Sequence, residues 1–213
     1  MRLIVFDLDH TLLTANSSFR FGSFLYQQNF FPFWALLKAL TAYARYKWLR
    51  MSIHDLHWKT FHYLFKGRSI VDVQAYVNRF LDVALDDMLY SPAINRLKQA
   101  QALGDKVLIL SSSPHFLVEP IAKRLNVQNW QATLYQSNEQ GILIGIAQAF
   151  EGEYKADYLK QFSTELNFHR SDMTVYSDSH LDLPILKMAG QAIGVRPDSH
   201  LTKICLQNGW EIL

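Results

Sequence analysis

Four short runs rich in aliphatic and β-branched residues, RLIVF (2–6), KVLIL (106–110), MTVY (173–176) and QAIGV (191–195), lie far apart, and helical periodicity rather than hairpin punctuation fills most of the sequence between them. Strands that cannot meet through tight turns need crossover connections, so this alternation predicts an α/β architecture, a parallel sheet with helices on its faces. SPHFLVEPIAKRLNV (113–127), KADYLKQFSTEL (155–166) and LDLPILKMA (181–189), the last closed by Gly190, carry the helical pattern. ATLYQSNEQGILIGI (132–146) reads instead as a hairpin turning at Gln140-Gly141, a small antiparallel accessory.

Residues 15–89 break this rhythm. They are aromatic, basic and helix-periodic, with Phe33, Leu36, Leu37, Leu40 and Ala44 on one face, and read as a helical insert placed directly after the first strand and its loop. The chain of 213 residues carries a net charge of +2, but residues 16–70 hold eight basic residues (Arg20, Lys38, Arg45, Lys47, Arg50, Lys59, Lys66, Arg68) against Asp55, a local charge of +7 that leaves −5 elsewhere. A basic segment on an acidic remainder points to an anionic partner for that segment; no nucleic-acid partner is expected. The lone cysteine, Cys205, cannot form an internal disulfide and suits a reducing compartment as a buried, inert thiol. The apolar run before Asp7 is too short for a signal peptide, and the uncharged run between Arg20 and Lys38 is broken by Gln27, Gln28, Asn29 and Pro32. A cytoplasmic protein is expected.

In an open parallel sheet, functional groups collect beyond the carboxyl ends of the strands. The first run leads into Asp7-Leu8-Asp9-His10-Thr11, the second into Ser111-Ser112-Ser113-Pro114, and the third into Ser177-Asp178-Ser179-His180-Leu181-Asp182, while Lys155 opens a predicted helix. Singly, each has a plainer explanation. Serines before a helix make good caps, a lone lysine is usually solvated, and aspartates at i and i+4 suit a helix start. None of these accounts for all of them falling on one edge of one sheet.

This set, in this order, resembles the haloacid dehalogenase superfamily of phosphohydrolases over nearly the whole chain: DxDxT as Asp7, Asp9 and Thr11, then Ser111, Lys155, and the acidic pair Asp178 and Asp182. The insert resembles the helical cap of the subclass that includes phosphoserine phosphatases. The resemblance implies a doubly wound, Rossmann-like core of residues 1–14 and 90–213, an all-helical cap of 15–89, and Mg²⁺-dependent hydrolysis of a small phosphorylated substrate. It makes Asp7 the nucleophile that forms an aspartyl-phosphate and Asp9 the acid and base. Asp7, the Asp9 carbonyl and Asp178 become the metal ligands, and hard oxygen donors suit Mg²⁺ while offsetting the repulsion between neighbouring carboxylates. Ser111, backbone amides near Ser112, and Lys155 are implied to hold the phosphate. Asp182 is expected to fix Lys155 or a metal-bound water, and Thr11 to orient Asp9.

The pattern also departs from the family's. His10 and Ser177 stand where glycine is common, and Leu181 where phosphoserine phosphatases carry a small polar residue. No acidic residue occurs between Asp9 and Asp55, so the carboxylate that reads an amino group near the cap is missing and phosphoserine is not expected. Arg20 is singled out as a specificity residue. His54, His57 and His62 are spaced more like exposed helix residues than a metal site, and His10 and His180 like rim positions. FFPFWALLKALTAYARYKWLRM (30–51), with Trp34 and Trp48 near its ends, admits two readings. Either its apolar stripe packs on neighbouring helices, or it makes peripheral contact with an anionic membrane. FGSFL (21–25) with YSDS (176–179) is similar to bacterial phosphatidylglycerophosphate phosphatases of the same subclass, which keeps a membrane-surface lipid phosphatase open. A catalytically inactive phosphate- or partner-binding protein, and a phosphotransferase sharing the first chemical step, also stay open.

Overall fold

The computed structural model describes residues 1–49 and 53–213, with side chains apart from those of 46–53. Lys47, Trp48 and Arg50 of the basic aromatic segment therefore lie outside the described side chains. Seven strands, β1 (Leu3–Phe6), β2 (Lys106–Pro114), β3 (Asn129–Ser137), β4 (Leu143–Gln148), β5 (Met173–Ser177), β6 (Gln191–Gly194) and β7 (Glu211–Ile212), form one sheet in the order β4-β3-β2-β1-β5-β6-β7. Every pair is parallel except β3 with β4. The hairpin expected as a separate accessory is part of this sheet: β3 pairs with β2 through Asn129–Thr133 and only then with β4. Its turn is set by Asn138, whose side chain accepts from the amides of Gln140 and Ile142, and by Gly141 at φ 73°.

β1 sits between β2 and β5, with Leu3 level with Lys106 on one side and Met173 on the other. The chain winds outward in opposite directions from this point, so a crevice opens beyond the carboxyl end of β1. Alternation along β1 divides the core. Ile4 and Phe6 join Val107, Ile109, Phe116 and the apolar side of the insert, while Leu3 and Val5 join Leu108, Leu110, Val175, Ile185 and the buried Cys205.

Helices α1 (Ser17–Gln27), α2 (Phe33–Leu49), α3 (Ile53–Leu64) and α4 (Ile70–Met88) follow β1, and α5 (Ser91–Ala102) leads into β2. Asn16 caps α1 by accepting from Phe19 N–H, and Ser69 caps α4 from Asp72 N–H. The chain passes into and out of this helical stretch side by side: Leu13 bridges Leu89, Thr14 N–H donates to Met88 O at 2.6 Å, and Tyr90 N–H to Leu12 O at 2.8 Å. Phe21, Phe61 and Phe65 pack against Phe116 and Tyr135 of the core. The helix α2 is turned differently from its expected stripe. It buries Ala42 and half-buries Ala35, Leu36 and Ala39, while Phe33, Trp34, Leu37 and Leu40 face outward at 53, 70, 37 and 39% exposure. The helix is apolar nearly all round, so periodicity alone did not choose its inner face. The remaining helices are α6 (His115–Arg124), α7 (Glu153–Glu165), α8 (Leu183–Met188) and α9 (Ser199–Asn208).

Candidate active site

Asp7 follows the last residue of β1, and its backbone N–H donates to Tyr176 O on β5, which fixes it at the sheet's edge. Its side chain is buried. Lys155, on the first turn of α7, donates to Asp7 Oδ1 at 2.8 Å and to both Asp182 oxygens at 2.9 and 3.1 Å. Only 2% of Lys155 is exposed, which excludes the solvated-lysine explanation. Ser177 Oγ donates to Asp182 Oδ2 at 2.8 Å and accepts from Ser179 N–H. A glycine there could not make this bond; Asp182 is thereby aimed at Lys155 rather than at capping α8, to whose amides it makes no side-chain bond.

A second network surrounds Asp9. Ser17 N–H donates to Oδ1 at 2.7 Å, and Ser113 Oγ to Oδ2 at 2.6 Å, with Asn16 Nδ2 at 3.4 Å. Ser18 Oγ in turn lies 2.7 Å from Ser113 Oγ. Thus the start of α1 and the end of β2 both grip Asp9. The serine run does not cap α6, whose N-terminus has no side-chain cap bond. Ser111 is buried and its Oγ accepts from Ser113 N–H. Ser112 is half-buried, and its carbonyl accepts from Thr133 Oγ1 at 2.6 Å.

Thr11 differs from expectation. Its hydroxyl donates to Asp178 Oδ1 at 3.3 Å, and Asp9 takes its donors from Ser17, Ser113 and Asn16 instead. The loop after β1 turns back on itself, which carries Thr11 toward β5. His10 sits in that turn at φ 62°, the left-handed region glycine favours, which costs a non-glycine residue about 1–2 kcal/mol. Arg196 holds the loop by donating to His10 O at 2.7 Å and Leu13 O at 2.9 Å, with its guanidinium over the Tyr90 ring. Asp198 N–H donates to Asp178 O, and the Asp198 carboxylate accepts from the His180 amide and ring. Burial works against that charge, but the His180 and Leu201 amides and the His180 ring hold the Asp198 carboxyl at about 2.

Charge at the centre is unbalanced. Burial pushes the Asp7 carboxyl well above the usual range; Lys155 opposes this, while Asp182 and Asp178 add to it. Burial also lifts Asp178 to about 6, with His10 opposing and Asp182 reinforcing. Lys155 is raised as well, but toward its charged form: burial disfavours that charge, and Asp182 and Asp7 keep it protonated beyond the usual lysine range. One ammonium, bonded to Asp7 and Asp182, is set against three carboxylates with Asp178 added, an arrangement that a divalent cation with oxygen ligands fits. Among the described residues no three His, Cys, Asp or Glu side chains converge as a metal cluster. The donor set implied by the resemblance is two carboxylates and the Asp9 carbonyl, which is not a cluster of three such side chains.

Sequence reasoning missed several contributors. Ser113 lay inside the noted serine run, but three adjacent serines carry no signal of which one turns inward. Ser17, Asn16, Arg196 and Asp198 had only capping or loop signatures. Glu151 had none: its Oε2 is a buried oxygen with no hydrogen-bond partner among the described residues, and its carboxyl is raised by burial against the pull of His54 and Lys155. Arg20 is exposed on α1. Of the three histidines on α3, His54 and His62 are exposed, and His57 is half-buried and lowered to about 4 by burial and by His54.

Residues 4–187 match the haloacid dehalogenase-like hydrolase family. The phosphoserine phosphatase SerB1 of Mycobacterium tuberculosis (strain ATCC 25618 / H37Rv) is 26% identical over 213 residues, covering 97% of this chain and 68% of its own. Histidinol-phosphatase of Neisseria meningitidis serogroup C (strain 8013) is 26% identical over 222 residues, covering 99% and 97%. Among solved structures, a protein of unknown function from Bordetella pertussis Tohama I shares the fold with a TM-score of 0.89 at 24% identity, covering 100% of this chain and 97% of its own. With the family match running from β1 into α8, and with phosphatases among its relatives, this chain belongs to the haloacid dehalogenase-like hydrolases and is a phosphatase.

Proposed function

We propose that the chain is a Mg²⁺-dependent phosphomonoester hydrolase working through a phosphorylated Asp7. The observation that carries this reading is the buried Asp7 carboxylate at the end of β1, paired with Lys155 at 2.8 Å and flanked by an Asp9 that separate elements hold in place. In the first step an Asp7 oxygen bonds to phosphorus as the ester P–O bond breaks, and the Asp9 carboxyl gives its proton to the departing oxygen. In the second step Asp9 takes a proton from water, whose oxygen attacks the acyl-phosphate, freeing Asp7 and inorganic phosphate. Ser111, the amides near Ser112 and the Lys155 ammonium are suited to the equatorial oxygens, where charge spreads in the transition state. Mg²⁺, held by the carboxylates of Asp7 and Asp178 and the carbonyl of Asp9, would offset the charge between carboxylate and phosphate.

In this reading residues 15–89 form a cap on a core of 1–14 and 90–213, supported by the Leu13–Leu89 bridge where the two chain crossings meet. The substrate is a small phosphomonoester, and not phosphoserine, because α1 and α2 have no described carboxylate to receive an ammonium group. Turnover of an aryl phosphate by Asp7→Asn tests the mechanism. The expected result is a loss of at least about 10³-fold with circular dichroism and Tm preserved. Turnover at the wild-type rate would overturn it.

A further inference from the structure

We infer that the outward face of α2, with the end of α1 beside it, is a docking surface for an anionic lipid bilayer. The starting point is the mismatch between what α2 presents and what surface helices normally present. An amphipathic helix turns its apolar side inward and its charges out. The helix α2 turns Ala35, Leu36, Ala39 and Ala42 inward and leaves Phe33, Trp34, Leu37 and Leu40 outward, Trp34 at 70% exposure. The patch continues onto α1, where Tyr26, 38% exposed, lies 6.3 Å from the Phe33 ring, which in turn is 6.2 Å from Trp34. A contiguous apolar surface of this kind marks an interaction site.

Charge identifies the occupant. The stretch 16–70 carries +7 within a chain of +2. Along α2 the exposed cations Lys38 and Arg45 border the apolar face, and Arg20 is exposed on α1. Asp55 is the one acidic residue in that stretch. Aromatic and leucine side chains with flanking lysine and arginine suit the boundary between lipid headgroups and acyl chains. Each cation near an anionic surface adds about 1 kcal/mol of attraction. No described helix is long and apolar enough to cross a membrane, which fits a helix lying on the surface. The helix α1, whose first residue bonds Asp9 and whose last turn carries Tyr26, joins the site to this face over 11 residues, about 16 Å at 1.5 Å per residue.

The test is co-sedimentation of the full chain with vesicles of phosphatidylcholine alone and of phosphatidylcholine with about one-third phosphatidylglycerol, a composition that supplies the negative surface potential in question. Binding to the anionic vesicles is expected, at least about tenfold over the neutral ones and weakened by raising salt from about 0.1 to about 0.5 M. Trp34→Glu with Leu37→Glu should remove it at least about tenfold, with circular dichroism and Tm as the check that the variant folds. Lys38→Glu with Arg45→Glu should weaken anionic binding while leaving neutral-vesicle binding unchanged. Absence of vesicle binding, binding indifferent to lipid charge, or binding that persists in both variants would overturn the proposal. So would a dimer in sedimentation equilibrium that the Trp34 and Leu37 variant dissociates, because the face would then be covered by a second copy.

Discussion

Lys155 is the residue on which the electrostatics of the site turn. It lies within hydrogen-bond distance of both Asp7 and Asp182, and 2% of it is exposed. Removing one member of a buried charge network leaves the others uncompensated, at a cost of about 3–5 kcal/mol. Lys155→Met should therefore lower the urea midpoint by that equivalent as well as suppress turnover; a midpoint unchanged from wild type would show that solvent or ions neutralise the aspartates. The lysine was legible in the sequence only through its place in an ordered set, because nothing in KADYL distinguishes a buried lysine from a solvated one. Asp7, Asp9 and Asp178 were legible because a strand's end fixes their location. Ser113 and the partner of Thr11 were not. Which hydroxyl in a run faces inward, and where a turned-back loop delivers a side chain, depend on backbone angles such as the positive φ of His10, and a sequence pattern does not encode these at a non-glycine residue.

At the scale of elements, parallel strands far apart in sequence were readable from their apolar runs, and β3 and β4 from a turn chemistry that Asn138 and Gly141 bear out. The face of α2 was not, since an all-round apolar helix has no periodic signal to orient it. The two-residue β7 was too short to register. The α8–β6 connection is a place where backbone crowding should have measurable consequences. A Cβ on Gly190 would stand 2.7 Å from Arg170 O and 3.0 Å from Ser171 Cα, both backbone atoms that cannot rotate aside. Gly190→Ala should destabilise by about 1–3 kcal/mol. Gly22, inside α1 with nothing within 4 Å of such a Cβ, provides the contrast. Gly22→Ala should stabilise by about 0.5–1 kcal/mol. Urea midpoints of the two variants moving in the same direction would refute the argument.

For the molecule as a whole, the raised carboxyls predict an unusual pH response in the absence of divalent cations. Asp178 goes from the ordinary 3.8 to about 6 in the folded chain. The folded state then binds its proton more tightly than the unfolded state, so this carboxyl's contribution to stability falls as pH rises through that window, and Asp7 acts in the same sense. Mg²⁺ should restore the loss by binding the folded state alone, raising Tm at neutral pH, and Asp178→Asn should abolish most of that rise. His57, lowered to about 4, pulls the other way over the same range, so the carboxyl's part is read as a difference: a wild-type Tm that climbs relative to that of Asp178→Asn between pH 4 and 6 in chelator, or a wild-type Tm indifferent to Mg²⁺, would contradict this picture. The central position of β1 has a consequence for synthesis. Leu3 to Phe6 leave the ribosome well before their neighbours on the two sides, which begin at Lys106 and Met173. Each nascent chain therefore carries an apolar strand with both edges open until β2 has emerged and one edge open until β5 follows, the condition under which strands capture one another. The demand for chaperone protection is thus greatest early, and no truncated product ending before Asp178 can hold the complete set of acidic groups.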